Sequence, residues 1–321
     1  METSNFKHFF TCAKNIQTEI RKVVLGKDAV IEKILATTLA GGHVLLDDIP
    51  GVGKTTLALA FSFATSMDYR RLQFTPDVLP TDVTGFTIYD KRTDSFQYKE
   101  GVAMCNLFLA DEINRTSSKT QSALLELMEE GSVTVDGVMH KLPDPFVVIA
   151  TQNPIGSVGT QMLPDSQLDR FMVCLSMGYP SIKDEVSILK GRQDHNPLSE
   201  VKAVANKDDI IAMRELVKNV YTDDKIYEYI AAVSDATRNN EMLKLGLSPR
   251  GSLALAKAAR AMAFLHGRNY VIPDDISQVF LDVATHRIVL SPKAKISDIT
   301  TAQLLTEILE SVPVPKLNIG K

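Results

Sequence analysis

The chain has 321 residues, 45% of them hydrophobic and 23% charged, which describes a globular protein of about two domains able to bury a large core. A net charge of −4 gives no electrostatic footprint for nucleic acid or an acidic membrane surface. Cys12, Cys105 and Cys174 are scattered, the histidines lack metal-ligand spacing, no apolar run approaches the roughly 18 residues of a membrane span, and the first residues carry no secretory pattern, so a cytoplasmic protein without a transmembrane segment is expected.

In chain order, residues 6–24 and 28–40 repeat apolar groups at helical spacing. Val44-Leu45-Leu46 is a short apolar strand leading into Asp47-Asp48-Ile49-Pro50-Gly51-Val52-Gly53-Lys54-Thr55-Thr56, after which Leu57-Ala58-Leu59-Ala60 opens a helix. Strand, Gly-rich turn and helix are the context that a nucleoside triphosphate site requires. Gly51 and Gly53 let the backbone aim its N–H groups at phosphate oxygens, with Pro50, Val52 and Thr56 completing the loop. The helix opening near Lys54 adds the positive end of its dipole. Lys54 can reach the β- and γ-phosphates, and the Thr55 hydroxyl can serve Mg²⁺. Asp48 stands where the strict G-x-x-x-x-G-K-[ST] pattern has its first Gly, and the tolerance of Asp for left-handed backbone is expected to preserve the loop. The competing reading is an ordinary Gly-rich turn.

Further strands are predicted over 71–74, 107–110, 146–151 and 171–176, separated in several places by helices, as in a parallel sheet of βαβ units. Two hairpin-like insertions interrupt them, 86–98 and 133–142, the second around the turn signal Asp136-Gly137. The 107–110 strand ends in Asp111-Glu112. Asp111 can hold Mg²⁺ and Glu112 can polarise an attacking water, since adjacent strand residues face opposite ways. The 146–151 strand ends in Thr151-Gln152-Asn153-Pro154, where the Asn153 amide can meet the γ-phosphate or orient water, although Asn-Pro is also a common turn. Arg170 lies at the domain surface, placed either to reach a neighbouring subunit's γ-phosphate or to pair with Asp169 or Asp165.

Residues 191–197 form a polar linker, beyond which 208–220, 223–239, 249–265 and 273–289 have helical period. In Ser248-Pro249-Arg250, Ser caps a helix, Pro occupies its first turn, and Arg250 sits where phosphate is favoured, or is simply a solvated first-turn Arg. The predicted organisation is an α/β parallel-sheet nucleotide-binding domain (1–192), a smaller all-α domain (193–312) and a loose tail (313–321).

Taken in order, Gly41–Leu46, Gln73–Pro80, Asp82–Gly85, Asp111–Arg115, Ala150–Pro154, Gln167–Phe171 and Ser248–Arg250 resemble the AAA+ ATPases, and within them the MoxR family. The resemblance implies an AAA+ P-loop domain followed by a helical lid, with ATP and Mg²⁺ as cofactors. Lys54 and Thr55 resemble Walker A residues, Asp111 and Glu112 Walker B, Asn153 sensor 1, Arg170 the arginine finger and Arg250 sensor 2. Val24 and Gly26 fall where such proteins contact adenine, 86–98 would be the helix-2 insertion, and 133–142 the hairpin before sensor 1. Two departures stand out. Lys27 replaces a frequent Gln, which is expected to alter nucleotide contacts, and Val102 replaces a Pro, which is expected to loosen the loop before the Walker B strand. The family also implies a homo-oligomeric ring, often a hexamer, acting as a chaperone-like remodelling ATPase on partners that carry a von Willebrand factor A domain. The competing functions are a nucleotide-controlled binding module with little turnover, a magnesium-chelatase-like motor subunit, and a nucleic-acid motor, which the charge balance disfavours.

Overall fold

The computed structural model describes residues 2–153, 163–191 and 196–316. The chain opens with α1 (Glu2–Arg21), α2 (Asp28–Leu39), β1 (Val44–Asp47), α3 (Lys54–Thr65), β2 (Tyr69–Gln73) and α4 (Pro80–Thr84). It continues through the hairpin β3 (Gly85–Asp90) and β4 (Ser95–Glu100), then β5 (Leu107–Asp111), α5 (Ser118–Glu130) and the hairpin β6 (Ser132–Val135) and β7 (Val138–Lys141). Next come β8 (Val147–Gln152), α6 (Asp165–Leu168), β9 (Val173–Leu175) and α7 (Ile182–Gly191). The remainder contains α8 (Lys207–Lys218), α9 (Asp224–Arg238), β10 (Leu243–Leu245), α10 (Pro249–Leu265), α11 (Pro273–Ala284), β11 (Val289–Leu290), α12 (Pro292–Ile296) and α13 (Thr301–Ser311).

Strands β2-β5-β8-β1-β9 form one parallel sheet in that order. Its inner strands are apolar runs because helices cover both faces. Leu46, Leu109 and Ile149 join the core on one face, while Leu45, Phe108 and Val148 join that on the other. Register places Asp47 opposite Gln152 and Gln73 opposite Asp111, a polar row along the carboxyl edge. That edge is where open α/β sheets bind ligands. Both predicted hairpins form, and Asp136 and Gly137 adopt the positive φ values (50° and 79°) that a tight two-residue turn demands. The Tyr98 and His140 rings stack with centroids 3.8 Å apart and tie one hairpin to the other.

The C-terminal part is helical, with one added element, the antiparallel β10–β11 pair. The helix expected over 273–289 stops at Ala284, because the chain must turn for His286 and Arg287 to reach the carbonyls of Phe171 and Met172 in the sheet domain. The polar linker is described only at residues 191, 196 and 197, and the tail only through 316. The two halves do not depend on that linker for contact. One apolar core runs from Val44 and Leu46 through Ile16, Ile31 and Ile34 of the first two helices to Leu255 and Phe264 of α10. No described helix is long and apolar enough to cross a membrane.

His43, which is buried, and His286, which is partly buried, are expected to make this packing acid-sensitive. His43 Nδ1 accepts the Val148 N–H (3.0 Å), so its proton sits on Nε2, 3.0 Å from the Met128 carbonyl; burial pushes its pKa down to about 4. His286 lies 3.0 Å from the Phe171 carbonyl, and burial pushes its pKa down to about 3. Both stay neutral in the folded chain but protonate near pH 6.5 when unfolded. Their stabilisation is therefore complete above about pH 6.5 and declines as pH falls towards 4 and 3, by up to about 1.4 kcal/mol per pH unit for each. Urea midpoints should be level from pH 7 to 8 and fall steadily below 6.5; a midpoint unchanged down to pH 4.5 contradicts this.

Candidate functional site

Residues 48–53 carry the chain from the end of β1 into α3, with Gly51 and Gly53 in left-handed backbone (φ 85° and 98°) and Lys54 as the first helical residue. Asp48 departs from expectation. It is not among the positive-φ residues, so tolerance of left-handed backbone is not its role. Its carboxylate is buried and accepts four bonds: Ile49 N–H (3.0 Å), Ser176 Oγ–H (3.3 Å), Met177 N–H and Gly178 N–H (2.9 Å). Asp48 thus pins the loop to the segment leaving β9. Lys27 braces the same segment, donating to the Met177 and Tyr179 carbonyls, and so acts on this wall through the backbone. Val102 likewise departs from expectation: its N–H, which a Pro would lack, donates to the Asp82 carbonyl (2.9 Å) and secures that loop.

A cavity of about 320 Å³ opens beside the loop, walled by Val24, Pro50, Gly51, Val52, Gly53 and Thr56 together with Met177 and Tyr179. Gly26 does not line it. Its φ is 69°, and a Cβ there would stand 2.2 Å from the Asp184 carboxylate, so Gly26 admits the close approach of α7. The Lys54 ammonium donates to the Asp48 carbonyl (2.7 Å). Burial lowers its pKa, against the pull of Asp48, Asp111, Asp47 and Glu112. Thr55 follows in the first turn of α3. Burial raises the pKa of Asp47, whose Oδ1 is buried without a donor, as is Gln152 Oε1. Unsatisfied acceptors at this edge, beside a lysine among carboxylates, fit a hydrated cation carried in with phosphate. No three His, Cys, Asp or Glu side chains among the described residues could hold a metal. Magnesium bound with nucleotide needs only one or two protein ligands.

Asp111 ends β5 with both oxygens engaged, Oδ1 by Thr151 Oγ–H (2.6 Å) and Oδ2 by Arg71 Nη2 (2.7 Å). Glu112 leaves the strand in left-handed backbone (φ 57°), and its N–H donates to Thr151 Oγ1 (2.8 Å). Its carboxylate accepts from Arg115 (2.7 Å) and Gln73 (3.5 Å). The two acids are thus separated by a backbone turn rather than by strand alternation alone. Asn153 follows β8, and its carbonyl accepts from Asn114 Nδ2 (3.2 Å); Pro154 lies outside the described residues.

Arg170 and Arg250 stand elsewhere. Neither Asp169 nor Asp165 is Arg170's partner; its Nη1 lies 3.3 Å from Glu129 Oε2, in the last turn of α5. Arg250, in the first turn of α10, binds the other oxygen of Glu129 rather than standing free in solvent. Asp169 is occupied by Arg287 Nε (2.7 Å) and by the Ser248 hydroxyl (3.1 Å), which also accepts the Gly251 N–H and caps α10. The Arg287 side chain is 2% exposed and also donates to the carbonyls of Asp169, Phe171, Met172 and Val283. Sequence reasoning missed Arg287 because it fell within a predicted helix. It also missed Arg71 and Thr151, although Arg71 opening a predicted strand beside an acidic strand end was a usable signal. Arg170, Arg250 and Arg287 line a second cavity of about 290 Å³ that has no lining residue in common with the loop cavity.

Residues 43–173 match the ATPase family associated with various cellular activities (AAA), and residues 235–308 match the AAA lid domain. A crystal structure of a candidate ATPase from Cytophaga hutchinsonii superposes with a TM-score of 0.90 at 34% identity, covering 98% of each chain. YeaC of Bacillus subtilis is 50% identical over 92% of both chains. The chaperone MoxR1 of Mycobacterium tuberculosis is 38% identical over 94% of this chain and 81% of its own length. The chain belongs to the MoxR family of AAA+ ATPases. Similarity to a magnesium-chelatase subunit ChlI homologue of Methanocaldococcus jannaschii is weaker, 28% identity over 58% of the chain. As a MoxR-family member the protein is nucleotide-binding, with a parallel-sheet AAA+ domain followed by a helical lid.

Proposed function

We propose that this MoxR-family protein hydrolyses ATP with Mg²⁺ at sites completed between copies of itself, arranged as a ring, and couples hydrolysis to remodelling of a partner protein. The observation that carries this reading is the separation of charges. Lys54, Asp111 and Glu112 gather at the sheet edge beside the loop, while Arg170 and Arg250 share Glu129 in a different cavity. Arginines held there serve another copy's phosphate more readily than their own.

Backbone N–H groups of residues 51–56 would cradle the phosphates, with Lys54 neutralising them, and Thr55 and Asp111 would hold Mg²⁺, which supplies charge compensation. Val24 would contact adenine, and Gly26 shapes that wall from behind. Glu112 would draw the proton from the attacking water, Asn153 would orient that water, and Arg170 and Arg250 of a neighbour would stabilise charge as it develops. The name of MoxR1 as a chaperone supports a remodelling role. A hexameric ring and a von Willebrand factor A partner are what the family resemblance favours.

Specific ATPase activity should therefore rise with protein concentration, and a mixture of Glu112→Gln with Arg170→Ala should recover part of the lost activity. Recovery is expected because some junctions in the mixture pair an intact Glu112 with an intact Arg170. A flat specific activity without recovery would mean that each chain works alone.

A further inference from the structure

We propose that Glu129 is a positioning residue that holds Arg170 and Arg250 as a single two-guanidinium clamp spanning the sheet domain and the lid, an inference that rests on the shared-site reading above. One carboxylate receives both side chains, Arg170 on Oε2 and Arg250 on Oε1, although 80 residues and a domain change separate the arginines in sequence. The partner is not interchangeable. Asp169, the other carboxylate lining the cavity, is occupied by Arg287 and Ser248, which leaves Glu129 alone against Arg170, Arg250 and Lys257. The cavity therefore keeps an excess of positive charge even with both ion pairs formed. Arg170 Nε is buried without an acceptor, so the clamp also has an unfilled donor.

The physical consequence is preorganisation. A free arginine loses rotamer freedom when it meets a phosphate, and two arginines on separate domains must also fix the domain angle. Bridging them beforehand removes both costs at the moment of reaction. The bridge is partly solvated, with the Glu129 side chain 40% exposed, so phosphate oxygens can take over the guanidinium donors that water and Glu129 satisfy. Glu129 lies in the last turn of α5, the helix that follows the Asp111-Glu112 strand end, so the clamp is carried by the element next to the proposed water-activating acid.

The test uses the full chain and four variants, Glu129→Gln, Glu129→Asp, Arg250→Ala and Glu129→Gln/Arg250→Ala, read by fluorescent-nucleotide affinity, by kcat and KM, and by amide hydrogen exchange. Glu129→Gln should keep the parent's nucleotide affinity, lower kcat by roughly ten- to a hundredfold, and speed exchange at residues 169–172 and 250–253 without changing it in the sheet strands. Glu129→Asp, too short to span both arginines, should fall between. In the Arg250→Ala background the further loss from Glu129→Gln should be small, because a clamp can be broken only once. Unchanged kcat and exchange in Glu129→Gln, a loss fully additive to that of Arg250→Ala, or a gain in kcat showing that Glu129 blocks the arginines would each overturn the proposal. A parent protein that turns over no ATP would defeat the hydrolysis reading instead, and the exchange result would still judge the clamp.

Discussion

Replacing Glu112 with Gln should lower ATP hydrolysis by about 10²–10⁴-fold, the usual contribution of a positioned general base, while nucleotide affinity stays close to that of the parent. The substitution keeps the size of the side chain and its ability to accept from Arg115 and Gln73, so the change falls on charge. The backbone argument points the same way. A non-glycine residue at φ 57° is costly, and here the left-handed turn is held by the Glu112 N–H bond to Thr151, whose hydroxyl donates to Asp111. That chain fixes both acids relative to the sheet edge. Lys54, which would carry the affinity, donates to the loop itself and does not depend on Glu112 for its place. Steady-state hydrolysis beside direct nucleotide titration separates the two effects. Retained turnover would remove Glu112 from the chemistry, and lost affinity would show that it shapes the pocket.

The second large effect concerns stability. Arg287→Ala should destabilise the fold by about 3–5 kcal/mol, the cost of removing one partner from a buried ion pair. The guanidinium serves Asp169 and four carbonyls at the junction of sheet domain and lid, and its loss strips them of donors while opening a void. Arg287→Lys should recover little, since a compact ammonium with three donors cannot reproduce a planar fork spread over several acceptors. Urea unfolding measures this directly. A loss below about 1 kcal/mol, the range of an exposed pair, would show that water replaces the guanidinium.

Much of this molecule was legible beforehand because its chemistry is local. The strand–loop–helix around Lys54 and the Asp-Gly hairpin turn each follow from a few contiguous residues. What escaped was non-local. Nothing near Asp48 in sequence reveals that its carboxylate meets residues 176–178, and nothing near Arg287 reveals Asp169. The alternative placed beside it for Arg170, a surface pairing with Asp169 or Asp165, gives way for the same reason: the nearest carboxylate in sequence is taken by a residue more than a hundred positions away, and Glu129 stands in its stead. Helical period over 273–289 carried no hint of the break after Ala284, because tertiary bonds made by His286 and Arg287 override local preference.

The continuous apolar core through α1, α2 and α10 also bears on how the chain is made. The first two helices leave the ribosome before the phosphate loop, yet part of their apolar covering, Leu255 and Phe264, lies more than 200 residues later. Contacts so distant in sequence close slowly. Ile16, Ile31 and Ile34 therefore lack that part of their covering through most of synthesis, which leaves apolar surface of the nascent amino-terminal half open to misassociation.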